Sequence, residues 1–213
     1  MEEIYAELKE KVIRGDRDGS RAIVEGLLKK GEEAGHIIST SLIPAMDIVG
    51  EKFEKNEFFL PELLVAARAM ESCMEILQPL LVKSGVKPTG VALLGTVKGD
   101  LHDIGKNIVG AMLKGAGFEV IDLGRDVTPE KFALEIQKKE PQLLGLSALL
   151  TTTMRSMKDT IEVLKKKGLR EKVKIMVGGA PLTQSYADEI GADGYAPDAA
   201  VAVRKARELL GVQ

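Results

Sequence analysis

Asp100 and His102 stand two residues apart in GTVKGDLHDIGKN, a polar stretch that follows a short apolar run. A carboxylate at this spacing can accept one N–H of the imidazole, fix its tautomer and raise the basicity of the other nitrogen, the usual support for a metal-bound histidine. His102 could equally serve as an acid–base group or stand as an exposed loop residue. A protein-built zinc site is short of ligands, because the only other histidine is His36, in a region of helical pattern, and zinc takes three or four. A metal already held by a macrocycle removes the shortage, since the protein then supplies only an axial ligand.

The elements around this loop follow from the apolar pattern. From Gly90 onward, short apolar runs alternate with amphipathic segments, and strands are predicted at 91–96, 118–123, 143–148, 174–179 and 194–196, each followed by a helix. Five such units predict an α/β domain, a doubly wound five-stranded parallel sheet of flavodoxin-like or Rossmann-like type with right-handed crossovers. Ligands of such sheets bind at the carboxyl ends of the strands, where strand order reverses. Asp100 and His102 follow the first strand, Ser147 and Thr151 the third, Gly178 and Gly179 the fourth, and Asp198 the fifth, so all fall on one edge. In the order 2-1-3-4-5, His102 and Ser147 face each other across the crevice.

The first 83 residues carry helical periodicity instead. Ile4, Leu8 and Val12 begin one helix, and Ile23, Leu27 and Leu28 follow the turn GDRDGS with Ser20 as the expected N-cap. Ile37 to Phe53 continues the pattern, and Pro44 predicts a break near Leu42. A last helix from about Pro61 to Val82 carries Leu64, Ala67, Met70, Met74, Leu77 and Leu81 on or near one face. Short connections imply an antiparallel helical bundle over 1–83, a linker at 84–89 in KSGVKPTG, and the α/β domain at 90–213.

Lys and Arg (30) nearly balance Asp and Glu (32), which gives no electrostatic reason to expect nucleic acid or an anionic membrane as partner. No stretch reaches the about 20 apolar residues of a membrane span, and the acidic opening MEEIYAELKEKVI lacks a signal core, so a cytoplasmic address is expected. The single Cys73 excludes an intramolecular disulfide and is expected to fill core space in its helix.

Asp100, His102 and Gly105 are followed after 41 residues by Ser147 and Leu149, and after 28 more by Gly178 and Gly179. This pattern resembles the cobalamin-binding module of cobalamin-dependent methionine synthase and of the corrinoid proteins serving methanol and methylamine methyltransferases. There Asp-x-His-x-x-Gly is followed after about forty residues by Ser-x-Leu, then by Gly-Gly. IPAMDIVGEKFEKNEFFLPELLVAARAM is similar to the helical cap preceding that module, so the resemblance covers nearly the whole chain.

The resemblance implies a cobalamin, or another corrinoid, bound with its benzimidazole tail off the metal and buried in a slot, and His102 as the lower cobalt ligand. It places Asp100 and Thr153 in a proton relay with His102, Thr153 standing where methionine synthase has Ser. Gly99, Leu101, Asp103, Ile104, Gly105, Ser147, Leu149, Thr151, Gly178, Gly179, Ala180, Asp198 and Ala199 become candidate cofactor contacts, and Phe53, Leu60 and Leu63 a candidate lid. Lys106 is read as a solvated loop charge. The implied role is methyl carriage, cycling between Co(I) cobalamin and methylcobalamin, as a component rather than a complete enzyme. Its partners would be a substrate:corrinoid methyltransferase, a second methyltransferase delivering to tetrahydrofolate or a thiol, and a reductive activase. The lid would swing on the linker, with Gly85 and Gly90 as pivots. Alternatives are a cobalamin-dependent sensor, the cobalamin subunit of a mutase, or a flavodoxin-like module with no corrin.

Overall fold

Helix α1 (Glu2–Ile13) carries Glu2 and Glu3 in its first turn and Lys11 in its last, charges that complement the helix dipole, and buries Tyr5, Leu8, Val12 and Ile13. The structure is a computed structural model describing residues 2–84 and 88–212. They form two compact units, residues 1–88 with 114–117 and residues 89–113 with 118–213.

In the helical unit, α2 (Arg17–Lys29) is capped by Asp16, whose carboxylate accepts the Gly19 N–H at 2.9 Å. Ser20, the expected cap, lies a turn further in, fully buried, and donates its hydroxyl to the Asp16 carbonyl at 2.7 Å. Gly15, at φ +73°, makes the chain reversal early enough for the carboxylate to take the cap. The break expected near Leu42 is a change of helical pitch. After α3 (Ala34–Ile37), a π-helical turn covers Ile38–Leu42 and runs into α4 (Ile43–Glu54) with Pro44 in its first turn.

Helix α5 (Leu60–Ser84) contains Pro79. Its buried stripe is Leu63, Ala66, Ala67, Ala69, Met70, Cys73 and Leu77, rotated from the expected one because small residues at 66, 69 and 73 let neighbours approach closely. Burial pushes the Cys73 thiol up to about 11. A disulfide reagent at pH 8 should therefore leave the native thiol untouched and label it at once in denaturant. Rapid labelling of the folded chain would contradict this packing.

The α/β unit holds strands β1 (Val91–Thr96), β2 (Glu119–Asp122), β3 (Leu143–Ser147), β4 (Lys174–Gly178) and β5 (Gly194–Ala196), all parallel in the order β2-β1-β3-β4-β5. Helices α6 (Ile104–Gly115), α7 (Pro129–Lys139), α8 (Thr151–Lys166), α9 (Gln184–Ile190) and α10 (Ala199–Leu210) complete the five βα units. β1, β3 and β4 are buried along nearly their whole length, as a sheet covered on both faces requires. Phe132 of α7 lies so close over β1 that a Cβ at Gly95 would come within 2.6 Å of its ring. The register aligns Thr96, Ser147, Gly178 and Ala196 across four strands, bringing their carboxyl ends to one edge. Of the two expected pivots, Gly85 lies outside the described residues. Gly90 is buried against Phe118 and Leu210, and its carbonyl accepts the Glu119 N–H at 2.9 Å, which makes it part of the sheet.

Candidate functional site

Past their aligned ends, β1 and β3 stay joined for one more bond, from Val97 N–H to the Ser147 carbonyl at 3.0 Å, and then diverge. Asp100 fills the crevice between the two departing chains and is fully buried. Its Oδ1 accepts the His102 backbone N–H at 3.0 Å and the His102 Nδ1 at 2.8 Å. Its Oδ2 accepts the N–H groups of Leu149 and Leu150 at 2.8 and 3.3 Å and the Thr153 hydroxyl at 2.6 Å. Leu150, the N-cap of α8, has no side-chain acceptor to offer. The carboxylate of a different loop stands at that helix end instead, where the dipole favours an anion.

Burial alone would push the Asp100 carboxyl up. Donation from Thr153, from the backbone N–H groups of His102 and Leu149 and from the His102 ring overcomes it and holds the group well below the usual carboxylate range. An ionised carboxylate only accepts, so Nδ1 of His102 must carry the proton of that bond. In the neutral ring the lone pair is then on Nε2, which has no hydrogen-bond partner among the described residues. The His102 side chain is 51% exposed, and its carbonyl is held by the Thr96 hydroxyl at 2.9 Å. The result is an oriented, accessible imidazole nitrogen on a rigid backing, which can ligate a metal or take a proton.

Leu101, Ile104, Leu149 and Leu150 leave much of their side chains in solvent, up to 70% at Ile104. Leu101 and Ile104 lie close to His102 in sequence, and Leu149 and Leu150 are the residues whose N–H groups Asp100 accepts, so exposed apolar side chains stand on both chains that Asp100 joins. Among the described residues no group of three or more His, Cys, Asp or Glu side chains could hold a metal ion. A lone ligand with an apolar surround therefore fits a flat, largely apolar group that brings its own equatorial donors. Glycine placement agrees at Gly105, in the first turn of α6, where a Cβ would meet no atom within 4 Å. No contact among the described residues requires glycine at this exposed position, three residues beyond His102 in the chain.

The remaining candidates divide. Gly99 takes φ +85° in the turn before Asp100. A Cβ at Gly179, which has φ +139°, would lie 1.8 Å from the Ala148 carbonyl, and one at Gly178 would lie 3.1 Å from the Ala196 carbonyl. The fold itself demands glycine at 179. Thr151 and Ala180 are exposed, Ser147 is half-buried, and Ala199 is buried behind Asp198, whose carboxylate caps α10 through the Val201 N–H at 2.9 Å. Asp103 is half-buried, with Arg125 Nε 3.7 Å from its carboxylate. In the helical unit Phe53 is half-buried, Leu60 is 40% exposed and Leu63 is fully buried, while Phe59 is 62% exposed.

Lys106 corrects the sequence reading. It lies on α6 rather than in the loop, its side chain is only 3% exposed, and its ammonium is paired with Asp122 at the end of β2 and bonded to Asn107 Oδ1 at 2.7 Å. Burial of a lysine requires such a partner. Leu150 and Thr96 were missed as supports of Asp100 and His102, since one acts through its backbone and the other has no motif around it.

B12 binding domain models match residues 90–204 and residues 4–78. The chain is 46% identical to dimethylamine corrinoid protein 1 of Methanosarcina mazei over 98% of its own length and 97% of the relative's. It superposes with a TM-score of 0.81 on a cobalamin-binding protein from Desulfitobacterium hafniense, at 31% identity over 96% of this chain and 98% of the other. With the crystal structure of a methanol:cobalamin methyltransferase complex from Methanosarcina barkeri the TM-score is 0.86, at 29% identity over 99% of this chain and 81% of that one. No helix among the described residues is long and apolar enough to cross a membrane. Two domain models and a relative matched over nearly all of both chains place this protein in the family of B12-binding corrinoid proteins.

Proposed function

We propose that this chain carries a methyl group on a corrinoid held by His102 Nε2, with the cofactor's own base displaced. One partner would be a substrate:corrinoid methyltransferase that loads the methyl group. A second methyltransferase would pass it to tetrahydrofolate or a thiol, and a reductive activase would restore the working state. The observation that carries the reading is the Thr153–Asp100–His102 chain, which leaves Nε2 as a free donor beside apolar residues. A methylated amine is the favoured donor class, because the chain is 46% identical to a dimethylamine corrinoid protein and 43% identical to a trimethylamine corrinoid protein, each over nearly the whole of both chains.

When bound, the corrinoid supplies the nucleophilic cobalt and the metal–carbon bond that stores the methyl group. The residues of this chain do the rest. Asp100 holds the ring of His102 in one tautomer and one orientation, and Thr153 keeps the Asp100 charge in place. Leu101, Ile104, Leu149 and Leu150 give the macrocycle a dry seat, and the opening at Gly105 lets it approach the backbone. Phe53, Leu60 and Leu63 of the helical unit are the residues that the resemblance offers for shielding the carried methyl group from water.

The principal test is spectroscopic. Wild type and His102→Ala are reconstituted with hydroxocobalamin, and their spectra and methylation by methylamine-type partners are compared. The variant should lose the imidazole-ligated spectrum and, by analogy with losses on disturbing metal-ligand support, about 10–100-fold or more of its methyl-accepting rate. Identical spectra would refute the assignment of His102. Gly105→Ala separates ligand from fold. Alanine in place of glycine should leave the apo chain as stable or stabilise it by up to about 1 kcal/mol, while weakening corrinoid binding in a titration. Undiminished binding would show that the space at Gly105 is not occupied by the cofactor.

A further inference from the structure

The His102 loop has a second support that no motif announces. The chain leaving β2 turns through Gly124 (φ +82°) and Asp126 (φ +52°) and runs beside residues 96–100. Thr96 N–H donates to the Gly124 carbonyl at 3.0 Å, Val127 N–H donates to the Thr96 carbonyl at 2.9 Å, and Val97 and Val127 form an isolated parallel bridge. Asp126 closes the contact in both directions. Its Oδ1 accepts the Gly99 N–H at 2.7 Å, and its own N–H donates to the Asp100 carbonyl at 3.1 Å.

This geometry is selective for residue type. Left-handed backbone at 126 is strained for most side chains and tolerated by Asp and Asn. The side chain must also present an acceptor to Gly99, whose φ of +85° marks a segment with little stiffness of its own. The loop bearing Asp126 is anchored in turn. Asp122 accepts the Gly124 N–H at 2.9 Å through Oδ1 and the buried Lys106 ammonium through Oδ2. Lys106 belongs to α6, the helix that begins two residues after His102. One brace of the ligand loop is thus Asp100 against α8, and the other is Asp126 with the Lys106–Asp122 pair behind it.

We propose that Asp126 is a positioning residue for the axial ligand. By clamping the backbone of Gly99 and Asp100 it sets how much of the protein has His102 aligned for coordination. The inference rests on the reading of His102 as a cobalt ligand, and Asp126 acts on the Gly99–Asp100 backbone rather than on the imidazole.

The test uses full-length protein grown with nitrogen-15 histidine, loaded with hydroxocobalamin and reduced to Co(II). In its electron paramagnetic resonance signal, a labelled histidine nitrogen on cobalt splits each line in two, whereas benzimidazole nitrogen splits it into three. Asp126→Gly removes the carboxylate without strain at positive φ, and Asp126→Asn keeps an acceptor and the same backbone preference. Wild type and Asp126→Asn should give the doublet. In Asp126→Gly the ratio of histidine-ligated to other cobalt should fall about three- to tenfold, the range for losing one exposed hydrogen bond to a charged group. Corrinoid content and melting temperature should match those of Asp126→Asn. An undiminished doublet in Asp126→Gly overturns the proposal, as does an equal fall in Asp126→Asn or a loss that follows loss of folded protein. A triplet in the wild type overturns the His102 reading itself and this proposal with it, an outcome visible before any variant is examined.

Discussion

A carboxylate with no exposed surface is expensive unless nearly every lone pair is used, and the site depends on how Asp100 meets that condition. Its two oxygens divide the work. Oδ1 takes both donors from His102, while Oδ2 takes two backbone N–H groups and a hydroxyl at the start of α8. Donors on both oxygens, the Thr153 hydroxyl first among them, keep the group ionised despite burial, and ionisation is what forces the His102 proton onto Nδ1. The tautomer of an exposed ring therefore depends in part on bonds to a helix on the other side of the crevice. The same bonds sew the β1 loop to the β3 loop, so orientation of the His102 imidazole and closure of the sheet edge are one interaction.

β1, β3 and β4 were legible because burial on both faces asks for near-continuous apolar runs, and the βα alternation made the sheet parallel, its order being the common one for five such units. Asp100 and His102 were legible because they are two residues apart and do their work locally. Supports acting across sequence were not. Lys106 pairs with Asp122, sixteen positions away, and looks like any loop cation until α6 and β2 are placed side by side. Asp126 offers only a tight, polar turn, and its acceptor role depends on a positive φ that sequence does not display. In the helical unit the errors were small displacements. A carboxylate four residues before Ser20 won the cap, and small side chains rotated the buried stripe of α5.

Glycines illustrate how ligand demands can be told from packing demands. Both kinds look alike in a motif, and Gly105 and Gly179 belong to the same family pattern. At Gly179 the absent side chain would strike the Ala148 carbonyl, and at Gly95 the Phe132 ring, so these residues are explained by the protein with nothing bound. Gly105 has open space and sits in a helix, where glycine costs up to about 1 kcal/mol relative to alanine. Packing does not account for Gly105, which stands in the same exposed stretch as Leu101 and Ile104.

The exposed rim carries that argument one step further. Leu101, Ile104, Leu149 and Leu150 leave apolar surface in water that covering by a bound group would remove favourably. The loop cannot collapse to bury them, because Asp100 fixes it against α8 and Asp126 fixes it against the β2 turn. The braces thus preserve an apolar surface and an aligned nitrogen that the chain would otherwise hide. Covering that surface is where binding free energy for a large planar cofactor can come from, with little reorganisation of the site left to oppose it.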